Sequence, residues 1–133
     1  MFKKALSLGI VSGLLAGITG LLYAHLYYSI NEADFSKVAS SIRIIASSLA
    51  GGVLAAIGFT ILNKWLRRNG EIVFNLLFSI ISFASLLMPI AYKLPTSLET
   101  PELFPGMVIP MHFFPALAWF TLKPLFIRGQ PVA

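Results

Sequence analysis

The chain has no cysteine and only five acidic residues among 133. Without cysteine there is no thiolate nucleophile, no zinc–thiolate or iron–sulfur site and no disulfide scaffold. Charged residues make up 11% of the sequence, far below the roughly 25% of a soluble domain. That scarcity excludes a soluble enzyme, a nucleic-acid-binding domain and a disordered tail. What fills the space is apolar. Hydrophobic residues reach 57%, and the mean hydropathy is +0.84. The net charge is +5, but the basic residues sit at the ends of apolar runs, where they report orientation rather than an anionic partner.

Four apolar stretches each suit one bilayer crossing of about 20 residues. They run over 5–29, 44–63, 72–92 and 106–127, and none contains a carboxylate. The first follows Lys3 and Lys4 like a signal peptide. Its apolar run is longer than the roughly 7–15 residues of a signal h-region, so a true span is expected. The short links leave no domain boundary, repeat or low-complexity segment. The expected fold is all-α: one transmembrane domain over 1–133, an integral membrane antiparallel four-helix bundle.

Charge sets the expected orientation. One side would carry Lys3, Lys4, Lys64, Arg67, Arg68, Lys123 and Arg128, with Glu71 as its acid. The other would carry Lys37, Arg43 and Lys93 among Glu32, Asp34, Glu99 and Glu102. The basic bias places both termini in the cytoplasm. The turn 64–70 is then a basic topology anchor, with Trp65 at headgroup level. The outer loop 93–105 holds three prolines and reads as extended and rigid.

In lipid, small and weakly polar residues mark helix contacts. Gly9, Gly13, Gly17, Gly20 and Ala24 fall within about an 80° arc of the first span. Ser47, Ser48, Gly51, Ala55 and Gly58 form a second stripe, expected to pack on the first. Asn75, Ser79 and Ser82 share a face of the third span. In the fourth, Pro115 is interior and leaves the Met111 carbonyl without its helix donor.

Residues able to carry chemistry are few. His25 and His112 lie near the outer end of their spans, with Arg43 and Lys93 at the same level and Tyr28 and Tyr92 nearby. One reading is a bis-histidine haem site at His25 and His112. A softer one is an outer-face pocket for quinone or an anionic lipid headgroup, formed by Arg43, Lys93, Tyr28 and Tyr92. The plainest is interfacial, with tyrosines in the aromatic belt and cations reaching for headgroups. No metal site is expected.

Enzyme classes fall by subtraction. No span supplies the paired carboxylates of an aspartyl intramembrane protease or the acid of a proton-coupled exporter. The serines of the third span have no base on their own helix. Phosphate-cradling loops are absent.

The Gly/Ala-rich first span after Lys3-Lys4, the basic turn at 64–69 and the third span ending in Ser85-Leu86-Leu87-Met88-Pro89 resemble a family of small bacterial four-span membrane proteins of unknown function. The fourth span, opening near Met111-His112, is similar too. The resemblance implies no activity.

The expectation is therefore a non-enzymatic accessory or assembly subunit of a larger bacterial membrane complex. It would sit in the inner membrane and contact lipids and larger subunits, with no nucleic acid. The alternatives are a module binding haem, quinone or lipid near the outer face, and a small channel or carrier along Asn75, Ser79, Ser82 and His112.

Overall fold

The computed structural model describes residues 1–95 and 100–128, so part of the proline-rich loop and Glu99 lie outside the described residues. Every regular element described is helical. α1 is Phe2–Asn31, α2 Ser41–Leu66, α3 Gly70–Ala84, α4 Leu87–Ala91 and α5 Phe104–Phe126, with short 3-10 turns at Arg67–Asn69 and Pro101–Leu103.

Three helical runs are long and apolar enough to cross a membrane: Phe2–Asn31, Ser41–Ala91 and Pro101–Phe126. This corrects the expectation of four separate long helices. The stretch 44–63 and all of 72–92 but Tyr92 fall within the 51-residue run Ser41–Ala91, because the basic turn between them is itself helical. That run folds back on itself. Arg67 takes φ 47° and ψ −109°, and Gly70 then lies against Leu62 and Asn63 of α2. A Cβ on Gly70 would stand 2.5 Å from both the Leu62 carbonyl oxygen and the Asn63 Cα, so only glycine admits the turn.

The expected third span is also not one helix. It breaks between α3 and α4 at Ser85–Leu86. Pro89 is the physical cause. It has no N–H to give the Ser85 carbonyl, and its ring crowds that turn. The chain tightens instead: Leu86 N–H donates to Phe83 O at 3.1 Å and Met88 N–H to Ser85 O at 3.3 Å.

α1 and α2 pack antiparallel and very closely. A Cβ on Gly13 would meet the Ser48 carbonyl oxygen at 2.8 Å, one on Gly17 the Ile45 Cα at 3.2 Å, and one on Gly20 the Ile44 side chain at 3.0 Å. Gly9 meets the backbone of Gly52. The contact therefore falls on Gly52, whereas Gly51 has open space and Ser47 is exposed. One residue is a 100° turn of the helix, which separates a seam position from an outward one. Ala55 is buried, and Gly58 makes only an ordinary contact with Phe74 at 3.8 Å.

α5 lies along α1 in the opposite direction. Tyr23 donates its hydroxyl to Gly106 O at 3.0 Å, and Tyr27 donates to Leu103 O at 2.6 Å. The first bond has a clear reason. Pro110 has no N–H for the Gly106 carbonyl, and Tyr23 supplies the missing donor. Tyr23→Phe should cost about 1 kcal/mol, read as a lower melting temperature in lipid; an unchanged melt would mean another donor serves that carbonyl.

Two apolar clusters hold the ends. Near the termini, Trp119 is fully buried among Leu8, Ala56, Phe59 and Phe74. Near the Asn31–Ser41 connection, Phe35 is buried with Ala24, Phe104 and Met107. In that connection Asp34 accepts from the Ser36 N–H at 2.8 Å, which holds its carboxyl below the usual range. The stabilisation from this bond is present above the unfolded-state pKa and is lost as pH falls through the depressed value.

Large side chains point outward all round: Leu22, Leu54, Ile80, Ile81, Leu117 and Leu125 are each exposed by more than half. In water this would be an aggregation-prone surface. In lipid it is the expected one, since nothing there drives these groups inward.

Candidate functional site between α2 and α5

α1 packs against both α2 and α5, while those two meet mainly where Trp119 and Lys123 reach Phe59. Near the Asn31–Ser41 connection the gap widens into a cleft of about 520 Å³. Arg43, Ile44, Ser47 and Ser48 form its α2 wall. Phe104, Val108, Met111, His112 and Pro115 form its α5 wall, with Met88 of α4 and Val38 and Ala39 of the connection at the edge. The volume falls within the roughly 300–1,000 Å³ of small-molecule sites.

Its two ionisable residues are held in place. Ser40 caps α2 by accepting from the Arg43 N–H at 3.4 Å. The Arg43 side chain turns back, and Nη1 donates to Val38 O at 2.9 Å. A guanidinium has five N–H donors, so most remain free. His112 Nδ1 lies 2.9 Å from the Val108 carbonyl. A carbonyl only accepts, so Nδ1 carries a proton there and Nε2 is left for another partner. Pro115 removes the helix donor of the Met111 carbonyl, and both residues line the cleft.

The structure brings together Arg43 and His112 alone from the sequence-derived outer group. His25 is exposed on α1 and does not line the cleft, so the two histidines do not share it. Tyr92 and Lys93 are exposed and also lie outside it. Tyr28 is half-buried against Phe35, its hydroxyl buried without a partner. Among the described residues no group of acidic or histidine side chains could hold a metal.

The third-span polar face serves its own helix. Ser79 donates to Asn75 O at 2.9 Å and Ser82 to Phe78 O at 2.8 Å. The Asn75 Oδ1 and the Trp119 Nε1 are buried without partners.

Lys123 on α5 pairs with Glu71 at the start of α3, and its Nζ lies 5.4 Å from the centre of the Phe59 ring. Charge counting places both residues on one side, but their pairing follows only from the helix rotation. Lys123 is 12% exposed and Glu71 46%. Glu71→Gln should cost about 1 kcal/mol, because it strands the more buried partner. Lys123→Met should cost less, and the double variant should recover part of the Glu71→Gln loss. A double-mutant cycle in thermal melts measures this; additive losses would mean the pair does not couple.

Among the described residues the cleft wall carries no carboxylate, and His112 is the one candidate base there. Comparison with family models, curated proteins and solved structures found no match.

Proposed function

We propose that this chain crosses a bacterial inner membrane four times, with both termini cytoplasmic, and works without catalysis as an accessory or assembly subunit of a larger membrane complex. The crossing count rests on the fold-back at Arg67–Gly70, which turns the run Ser41–Ala91 into two antiparallel arms. The orientation rests on the basic bias.

The accessory role is carried by the outward face of α2. Ala50 and Leu54 are exposed there, and Gly51 has no atom within 4 Å of where a Cβ would stand. Small residues in lipid let another helix approach closely. The chain's own packing uses Gly52 and leaves this face free.

The test is purification of tagged protein from its native membrane in mild detergent, with mass spectrometry of the companions. Stoichiometric larger subunits that disappear in Gly51→Leu support the role. A protein that purifies alone contradicts it. Gly51→Leu separates assembly from folding, because its own chain leaves room for the new side chain.

The cleft supports a second reading, a ligand-binding membrane module. Among the described residues haem would have His112 alone as a ligand within the cleft, and a visible spectrum without a Soret band would dismiss it. The channel reading has less support, since the Ser79 and Ser82 hydroxyls are spent within their own helix.

A further inference from the structure

We infer that the cleft between α2 and α5 binds one anionic phospholipid of the leaflet that faces the Asn31–Ser41 connection. The inference rests on the membrane-spanning reading and is independent of the accessory role.

Three observations carry it. The first is charge. Arg43 stands at the mouth, in the first turn of α2, and among the described residues no acidic one lines the cleft. Its guanidinium is tethered by one bond to Val38 O, which fixes its place and leaves N–H donors for a phosphate. The second is depth. On α5 the lining runs from Phe104 to Pro115, about 16 Å along the helix axis. That is close to half of a hydrocarbon core of about 30 Å, the reach of one leaflet. The third is access. Met88 and Ser47 on the rim are exposed, so the cleft opens sideways, where lipid enters without crossing a polar barrier.

The polar contents narrow the class. Below Arg43 the lining is apolar except for two serines and His112. Ser47 donates its hydroxyl to Ile44 O. With Nδ1 turned to the Val108 carbonyl, His112 presents Nε2 to the cleft as its second polar atom, which suits a headgroup hydroxyl. A phosphate bearing a hydroxylated alcohol, as in phosphatidylglycerol, meets both groups. A zwitterionic choline headgroup supplies a phosphate but no hydroxyl donor, and it brings a cation towards Arg43.

The test uses nanodiscs of phosphatidylcholine containing a minor share of phosphatidylglycerol. Native mass spectrometry of the released protein reads the retained lipid. The wild-type chain should keep a single phosphatidylglycerol in preference to phosphatidylcholine. Arg43→Gln should lower that retention about tenfold, the size expected for losing a charged hydrogen bond. Ser47→Phe should abolish it by filling the cleft without changing charge; Ser47 is exposed, so the variant should melt like the wild-type chain, and it decides the matter even if Arg43→Gln proves unstable. Lys64→Gln, at the opposite end, should change nothing.

Equal retention of both lipids by the wild-type chain would overturn the proposal. So would a Lys64→Gln loss as large as that of Arg43→Gln, which would indicate general surface charge. A further arm adds glycerol phosphate to detergent-solubilised, lipid-free protein: binding as tight as that of the lipid would reassign the cleft to a soluble anion. None of these outcomes depends on whether larger subunits co-purify.

Discussion

Gly52→Ala should force α1 and α2 apart, while Gly51→Ala, one residue earlier, should do no harm. A methyl group on Gly52 would overlap the Gly9 carbonyl and come within 3.3 Å of the Gly13 Cα. These are backbone atoms in two long helices, so no side chain can swing away. Relief requires the helices to separate along the seam from Gly9 to Gly20. Overpacking of a tight core costs about 1–3 kcal/mol, and a clash with backbone belongs at the upper end. At Gly51 the same methyl meets nothing. There the helix propensity of alanine over glycine adds up to about 1 kcal/mol. The two variants should thus shift the melting temperature in opposite directions. Equal shifts would mean that α1 and α2 do not meet at Gly52.

Trp119→Ala should be the most damaging truncation in the chain. The indole is fully buried, with the rings of Phe59, Phe74 and Phe78 at 5.8, 5.4 and 6.1 Å between centroids. It ties α5 to both α2 and α3. In lipid there is no hydrophobic gain from hiding these rings, so their mutual packing carries the contact. Removing an aromatic of this size costs about 3–5 kcal/mol. Trp119→Phe should be mild, below about 1.5 kcal/mol, because Nε1 has no partner to lose. Thermal melts of the two variants in one lipid composition check the pair. A severe Trp119→Phe would reveal a hydrogen bond at Nε1 and contradict the packing account.

Much of this architecture is legible in the sequence, and the misses have physical causes. The glycine stripe of α1 repeats at helical spacing, so its packing face follows from periodicity alone. The α2 stripe is less regular: Gly51 and Gly52 are adjacent, and only the partner helix decides between them. Pro89 was visible in the third span, but the break at Ser85–Leu86 depends on its missing N–H and not on hydropathy. Phe35 sits in a polar connection and gives no periodic signal, yet it closes one end of the core. At the candidate site, Arg43 and His112 stood out as polar groups at the same level. That they share a cleft, and that His25 does not, depends on helix rotation, which single residues do not reveal. The Glu71–Lys123 pair was hidden for the same reason.

The direct test of the whole account is the sidedness of its turns. The cysteine-free chain allows single-cysteine variants Ser36→Cys, Asn69→Cys and Arg128→Cys, each challenged in intact cells with a membrane-impermeant maleimide. Ser36→Cys should be labelled from outside. Asn69→Cys and Arg128→Cys should react only after the membrane is opened. Labelling of Asn69→Cys from the same side as Ser36→Cys would mean that α2 does not cross. Opposite sides for Asn69→Cys and Arg128→Cys would leave an odd number of crossings and contradict the four-crossing topology.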